Sequence, residues 1–190
     1  MTAPLVATGL MAMMGQVVLL RELNVAMYGN EMVYVFSLGL WLLWTAAGAA
    51  FQGRCFLPSR QRIALLLAVT GPVLLLDCAF IRGSRFLFGA VPGAYLPFTL
   101  QLLTSALALF PVAFLTGLLF AGTARVYLSD SRTATTPGIA YGMESAGAAA
   151  GGIVSAFGIA WGFQNLQLAC IVLIPSLAAL AWLSYKHIRA

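Results

Sequence analysis

The sequence predicts an all-α membrane protein, a polytopic bundle of about six transmembrane helices. Of the 190 residues, 62% are hydrophobic and only 8% are charged, whereas a soluble domain carries about 25% charged residues. Six apolar runs are each long enough to span a bilayer, which takes roughly 20 residues. The connections between these runs are short, and the longest of them covers 82–97. A soluble protein this apolar could not cover its surface with polar groups, so the surplus is expected to face lipid.

The six predicted spans follow one another along the chain without a soluble domain boundary. Pro72, Pro111 and Pro175 fall inside the third, fourth and sixth spans, where proline is tolerated when neighbouring groups satisfy the freed carbonyl. The apolar stretch from Phe86 to Phe88 is predicted to lie at the interface or to re-enter the membrane. We therefore expect one transmembrane domain over 1–190 and no soluble catalytic domain. The predicted spans are 5–25, 33–51, 63–81, 98–123, 139–161 and 166–185.

The charge distribution predicts the orientation of the bundle. The formal net charge is +5, but the basic residues are scattered singly, which argues against a nucleic-acid partner. Six spans put both termini on one side. By the positive-inside rule both termini are predicted to be cytoplasmic, in the inner membrane of a bacterium. The terminal side collects seven basic residues against three on the other side: Arg54, Arg60, Arg62, Arg125, Arg132, Lys186 and Arg189, against Arg21, Arg82 and Arg85.

The sequence contains no recognisable cofactor or catalytic motif. Cys55, Cys78 and Cys170 show neither CxxC nor metal-ligand spacing. The single His187 excludes a two-histidine haem within this chain and makes histidine-based catalysis improbable. No Gly-rich nucleotide loop appears either. We expect no cofactor, no metal and no enzyme complete within this chain.

Polar residues cluster where the first span ends and the second begins. The cluster comprises Gln16, Arg21, Glu22, Asn30 and Glu31. It should lie near the external interface, where an arginine can pair bidentately with a carboxylate. One interpretation is a salt bridge that pins helices 1 and 2. The other is a ligand or proton site, since ionisable groups inside membranes are functional candidates by default.

Two further carboxylates lie within predicted spans. Glu144 lies about one turn into the fifth span, and Arg125 is its expected partner by depth. A structural ion pair is favoured there over a proton relay. Asp77 lies five residues before Arg82, and we expect these two side chains to meet along one helix edge.

The fifth span carries a face of small residues. Gly147 and Gly151 form a GxxxG motif, which Ala148 and Gly152 extend. Small residues let helix backbones approach closely, and this drives association inside membranes. An internal seam is the favoured interpretation, and a surface for a partner subunit is the alternative.

Several stretches of the sequence resemble a known family. The segment 15–23 with its continuation through 28–31 and 41–43, together with the segment 141–152, resembles the membrane-spanning N-terminal part of bacterial fused spermidine synthases, the polyamine aminopropyltransferases. The stretch 48–62 resembles the cytoplasmic loop between helices 2 and 3 of major-facilitator-like bundles. The resemblance therefore implies a fold like half of a major-facilitator bundle.

The activity of that family is not expected here. In the fused proteins a soluble Rossmann-like domain follows the membrane part, binds decarboxylated S-adenosylmethionine and activates the amine with acidic residues. This sequence reaches Ala190 directly after the sixth span. None of those catalytic positions is present, so aminopropyl transfer is not predicted for this chain.

Three functions remain open from the sequence. The leading hypothesis is a non-catalytic module that anchors or scaffolds a partner in a membrane complex. The second is a small transporter or half-transporter for a polyamine or another cation, suggested by the acids Glu31, Asp77 and Glu144. The third is a membrane subunit of an electron-transfer assembly. The expected partners are the lipid bilayer and other membrane or membrane-associated subunits.

Overall fold

The computed structural model describes residues 2–55, 59–91, 93–130 and 136–188, and every long element within them is an α-helix. All six helices are long and apolar enough to cross a membrane. The predicted six-helix membrane fold is thus confirmed. The helices are α1 (Thr2–Ala26), α2 (Met32–Cys55), α3 (Arg60–Leu87), α4 (Phe98–Asp130), α5 (Pro137–Ala160) and α6 (Asn165–Ile188).

The helices extend beyond the spans that hydropathy predicts, most clearly at the end of α3. This helix continues past Ile81 to Leu87, so Phe86 belongs to its last turn. The predicted alternative of a re-entrant stretch is therefore wrong, and the alternative of a position at the interface stays a prediction. The predicted span ends at Ile81 because Arg82 interrupts the apolar run. The helix continues because Ile81 and Ser84 keep one face buried, while Phe86, 90% exposed, points outward.

Successive helices cross back and forth, which gives the bundle two ends. The terminal end holds the start of α1, α3 and α5 and the close of α2, α4 and α6. The opposite end holds the connections after α1, α3 and α5. Helices α1, α3 and α4 contact one another at the centre, and fully buried residues of α1, α3 and α4 form much of the core there, among them Met14, Leu19, Leu74 and Leu109.

The helix pairing has an internal two-fold pattern. The most extensive pairs are α2 with α4, α1 with α5, and α3 with α6. Exchanging α1 with α4, α2 with α5 and α3 with α6 reproduces the same three pairs. Since α1 and α4 cross the membrane in opposite directions, the halves α1–α3 and α4–α6 are inverted relative to each other.

Reciprocal glycine contacts reproduce this pattern at residue level. A Cβ added to Gly9 would overlap the carbonyl oxygen of Glu144, and one added to Gly147 would overlap that of Val6. The other pair repeats the geometry: Gly117 faces the carbonyl of Thr45, and Gly48 faces that of Phe114. In all four cases the carbonyl belongs to the residue three positions before the partner glycine.

The sequence around these glycines repeats as well. Thr8-Gly9-Leu10 corresponds to Thr116-Gly117-Leu118, and the tetrapeptide Ala-Gly-Ala-Ala occurs at 47–50 and at 146–149. Matching residues therefore form matching contacts in the two halves. We conclude that the bundle consists of two inverted three-helix repeats.

The third pair, α3 with α6, meets where each helix contains a proline. The backbone amide of Gly71, which precedes Pro72, donates a hydrogen bond to Ser176 Oγ at 3.1 Å. Ser176 directly follows Pro175. Because proline interrupts the regular hydrogen bonding of a helix, this bridge gives polar atoms near both interruptions a partner across the pair.

Candidate functional site

A buried ion pair joins α1 and α3 toward the opposite end of the bundle. Arg82 Nε donates to Glu22 Oε2 at 3.0 Å, and Arg82 Nη2 donates to Glu22 Oε1 at 2.7 Å. This is the bidentate geometry of the strongest charge-assisted hydrogen bonds. The Glu22 side chain is only 5% exposed, whereas that of Arg82 is 48% exposed. The pair therefore holds a carboxylate inside the bundle with a guanidinium that still reaches the surface.

This pair differs from the sequence-based expectation in two ways. One interpretation of the cluster of Gln16, Arg21, Glu22, Asn30 and Glu31 is a salt bridge between helices 1 and 2, but the Glu22 carboxylate binds Arg82 of α3 instead. The sequence also predicts that the Asp77 and Arg82 side chains meet. This prediction is wrong, because Arg82 forms its ion pair with Glu22. The sequence indicated the residues, but the partner depended on which helix faces α1, and hydropathy carries no information about that.

Asp77 lies buried where α1, α3 and α4 meet. Its residue is 6% exposed, and its Oδ2 atom has no hydrogen-bond partner among the described residues. The carboxyl interacts with the backbone amide of Val112, directly after Pro111, where the proline interrupts the regular bonding of α4. The Asp77 carboxyl thus accepts a hydrogen bond from the backbone beside Pro111, while its Oδ2 atom has no partner among the described residues.

Arg85 forms hydrogen bonds to the connections at the opposite end of the bundle. The sequence indicated this residue only as part of the charge balance between the two sides. Its guanidinium donates to the carbonyl oxygens of Ala26, Val91 and Ala94 at 3.3, 3.2 and 2.9 Å. It also lies 4.1 Å from the ring centroid of Tyr28, a non-glycine residue with φ of 57°. One cation therefore ties the end of α1 to the connection between α3 and α4.

Asn30 and Glu31 behave differently although they are neighbours in the sequence. The Asn30 side-chain amide donates to Gln101 Oε1 at 2.9 Å, which joins the α1–α2 connection to α4. Gln101 in turn donates to the carbonyl of Leu96 at 2.7 Å. Glu31 is exposed, and its carboxylate forms no hydrogen bond or ion pair with any described residue. Asn30 is thus structural, and Gln101 is a partner that the sequence pattern did not indicate.

The side chains of Gln16, Arg21 and Asn24 in α1 are half-buried. Gln16 lies deeper in the helix than Arg21. Arg21 Nη1 and Asn24 Oδ1 are buried atoms without a hydrogen-bond partner in the described part of the chain. The structure therefore does not bring Gln16 or Arg21 into the Glu22 ion pair.

Glu144 lies about a third of the way along α5 and is half-buried. Its expected partner Arg125 instead directs both terminal guanidinium nitrogens at the Gly53 carbonyl, each at 3.5 Å. The predicted Arg125–Glu144 pair is therefore wrong. Within the described ranges no side chain forms a hydrogen bond or ion pair with the Glu144 carboxylate. Among the described residues, Glu144 is therefore an acid within a membrane-spanning helix that has no basic side chain paired with it.

The small-residue face of α5 packs against α1. Gly147 lies against the backbone of Val6, and Gly151 lies against the backbone of Leu10. Gly152 approaches the side chain of Met13, and the backbone of Ala148 lies beside Gly9. This face is occupied inside the chain, as an internal seam between two helices.

The described residues contain no group of three or more His, Cys, Asp or Glu side chains placed to hold a metal ion. No protein-family model, no curated protein and no solved structure matches the chain. The resemblance to the membrane part of fused spermidine synthases therefore stays a prediction from sequence motifs.

Proposed function

We propose that this chain is a non-catalytic membrane module that serves as one half of a transport pathway for a cation. The inverted repeat supports this proposal, because many secondary transporters are built from inverted repeats with their sites near the middle of the membrane. The four reciprocal glycine contacts are the specific observation behind the repeat. A partner unit, such as a second copy of the chain, supplies the other wall of the pathway.

Glu144 is the residue proposed to bind the cation. A carboxylate inside a membrane is costly unless it is paired or solvated. Glu144 is half-buried rather than enclosed, and Arg125 does not neutralise it. An ammonium group, as in a polyamine, would supply the missing charge and hydrogen-bond donors. Glu22 and Asp77 are less suitable, because both are buried between central helices.

The proposed location is the inner membrane of a bacterium, with both termini in the cytoplasm. Arg54, Arg60, Arg62 and Arg125 lie at the terminal end of the bundle. The sequence-based count for this side also includes Arg132, Lys186 and Arg189, whose side chains lie outside the described residues. The positive-inside rule favours the cytoplasm for the side with more basic residues.

Uptake by purified protein in liposomes tests the proposal. Liposomes with the wild-type chain should accumulate radiolabelled spermidine faster than empty liposomes under a pH gradient or a membrane potential. Glu144→Gln should slow uptake roughly tenfold or more, because a hydrogen-bonded charge contributes about 1.5–3 kcal/mol. Glu31→Gln is the matched control and should leave uptake unchanged. Glu31 is an exposed acid in the connection between α1 and α2, at the end of the bundle opposite to the termini.

Two results would remove parts of this proposal. Absence of uptake of any polyamine or simple organic cation under either gradient contradicts transport by this chain. Uptake that is unchanged in Glu144→Gln contradicts the role of Glu144 while leaving transport in place.

The second candidate is a module that anchors or scaffolds a partner protein. It is supported by the peripheral position of α2, α5 and α6, since only 22% of the apolar window of each helix is buried in the chain itself. Purification in a mild detergent tests it: a stable monomer with no co-purifying protein would count against it. The absorption spectrum of the same preparation tests the third hypothesis, an electron-transfer subunit, for a bound chromophore.

A further inference from the structure

A cleft opens between α1, α3 and α6 at the terminal end of the bundle. It has a volume of about 480 Å³, and its walls include Ala7, Ala64, Ala178 and Trp182. The small side chains leave the space open, and Pro175 also borders it, where α6 loses a regular helical hydrogen bond. The cleft is therefore an apolar crevice within the part of the bundle that spans the membrane.

A second groove continues from this cleft along α1 and α6. It has a volume of about 420 Å³ and passes Val6, Leu10 and Ile174. The two spaces share a wall along the first two turns of α1 and at Pro175 near the middle of α6; the shared residues are Thr2, Ala3, Ala7 and Pro175. Two apolar grooves thus adjoin along α1, and their shared wall reaches the terminal end at Thr2.

Basic residues surround the end of the shared groove wall near Thr2. Arg60, the first residue of α3, lines the cleft, and Arg54 and Arg62 lie at the same end. Of the five acids, Glu22 and Glu31 lie toward the opposite end, whereas Asp130 closes α4 at the terminal end and Glu144 lies in the terminal third of α5. No acid whose side chain is described lines either groove. The beginnings of α1 and α3 add the partial positive charge of helix N-termini. The grooves therefore have an apolar interior and a cationic mouth.

We propose that these grooves bind one phospholipid with an anionic headgroup, with its two acyl chains in the two grooves and its phosphate at Arg60. One helical turn, about 10–12 Å wide with its side chains and about 5.4 Å long, occupies roughly 400–600 Å³. A partner helix of several turns therefore exceeds either space, at about 480 and 420 Å³. Acyl chains match the narrow apolar walls, and basic pockets between transmembrane helices recognise anionic headgroups by charge. This site is independent of the proposed cation pathway, which involves Glu144.

Native mass spectrometry of the detergent-purified chain tests the site. The protein is incubated with equal amounts of palmitoyl-oleoyl phosphatidylglycerol and phosphatidylcholine. The wild-type chain should retain one phosphatidylglycerol in preference to phosphatidylcholine. Arg60→Gln should lower that preference about fivefold, the factor for roughly 1 kcal/mol per basic residue near an anionic lipid. Arg54→Gln, at the same end but outside the cleft wall, should lower it less.

A second variant separates the acyl-chain grooves from the charge. Ala178→Phe fills the cleft from its exposed side and should reduce retention of both lipids, whereas Ala149→Phe, on the exposed surface of α5, should not. Equal retention of the two lipids by the wild-type chain overturns the proposal. It is also overturned if Arg54→Gln matches Arg60→Gln, or if Ala149→Phe matches Ala178→Phe.

Discussion

At the residue scale, helix geometry explains why Arg82 pairs with Glu22 rather than with Asp77. Residues five positions apart on an α-helix differ by about 140° around its axis, whereas those three or four apart lie on one face. Asp77 therefore shares a face with Ile81 and not with Arg82. The sequence indicated Glu22 and Asp77 as candidate intramembrane polar positions, whereas it placed Arg82 just outside the third predicted span. Their pairing required knowledge that α1 packs beside α3.

The unequal exposure of the ion pair predicts unequal effects of removing its members. Arg82→Gln leaves the buried Glu22 carboxylate without its counter-charge and should lower the free energy of unfolding by roughly 2 kcal/mol, below the range for a fully buried pair because Arg82 is half-exposed. Glu22→Gln leaves a guanidinium that water can reach and should cost about 1 kcal/mol. Reversible unfolding in mixed detergent micelles measures both values.

The double variant provides the control for this prediction. Glu22→Gln combined with Arg82→Gln should be more stable than Arg82→Gln alone, because no unpaired charge remains buried. If Arg82→Gln proves no worse than Glu22→Gln, the buried carboxylate does not depend on Arg82.

Removing the charge of Asp77 should not destabilise the bundle as removing that of Arg82 should, since the Asp77 Oδ2 atom is buried without a hydrogen-bond partner among the described residues. Asp77→Asn keeps a carbonyl oxygen for the Val112 amide and removes a group that can ionise inside the bundle. Its unfolding free energy should stay within about 0.5 kcal/mol of the wild type or rise, because an unpaired buried charge is costly. Asp77→Leu, which removes the acceptor, should destabilise the bundle. A clear loss of stability in Asp77→Asn would contradict this account of the site.

At the element scale, the helix seams depend on glycines whose neighbours are backbone atoms. Hydropathy predicted the six helices because apolar length alone decides which segments span a membrane. The motif around Gly147 indicated one close contact. The sequence did not predict the close contacts of Gly9, Gly48 and Gly117. A lone glycine in an apolar helix indicates no particular contact until its partner helix is known.

The four reciprocal glycines should respond alike to substitution. Gly9→Ala, Gly147→Ala, Gly48→Ala and Gly117→Ala each place a Cβ where a carbonyl oxygen already lies and should each cost roughly 1–3 kcal/mol through overpacking. Thermal unfolding in detergent measures the four losses.

Matched controls for these substitutions lie on the same elements. A Cβ at Gly39 in α2 or at Gly142 in α5 meets nothing within 4 Å. Alanine there should be neutral or stabilising, because glycine costs about 1 kcal/mol relative to alanine inside a helix. Equal losses at seam and control positions would contradict the close packing of α1 with α5 and of α2 with α4.

At the scale of the whole molecule, the bundle consists of two inverted halves. The sequence did not predict this repeat, because the matches around the seam glycines are short, at 8–10 with 116–118 and at 47–50 with 146–149. The contact geometry makes those matches meaningful. Duplicated and inverted halves explain why α1 and α4 occupy equivalent central positions.

The sidedness of the connections tests the central claim, six crossings in two inverted halves, most directly. Single cysteines at Ser59, Thr136, Gly29 or Gly162, in a chain whose native cysteines are replaced by alanine, are labelled with a membrane-impermeant maleimide in sealed vesicles. Cysteines at 59 and 136 should be labelled from one side, and those at 29 and 162 only from the other. Labelling of 29 and 59 from the same side, or of 136 and 162 from the same side, would contradict the inverted six-helix bundle.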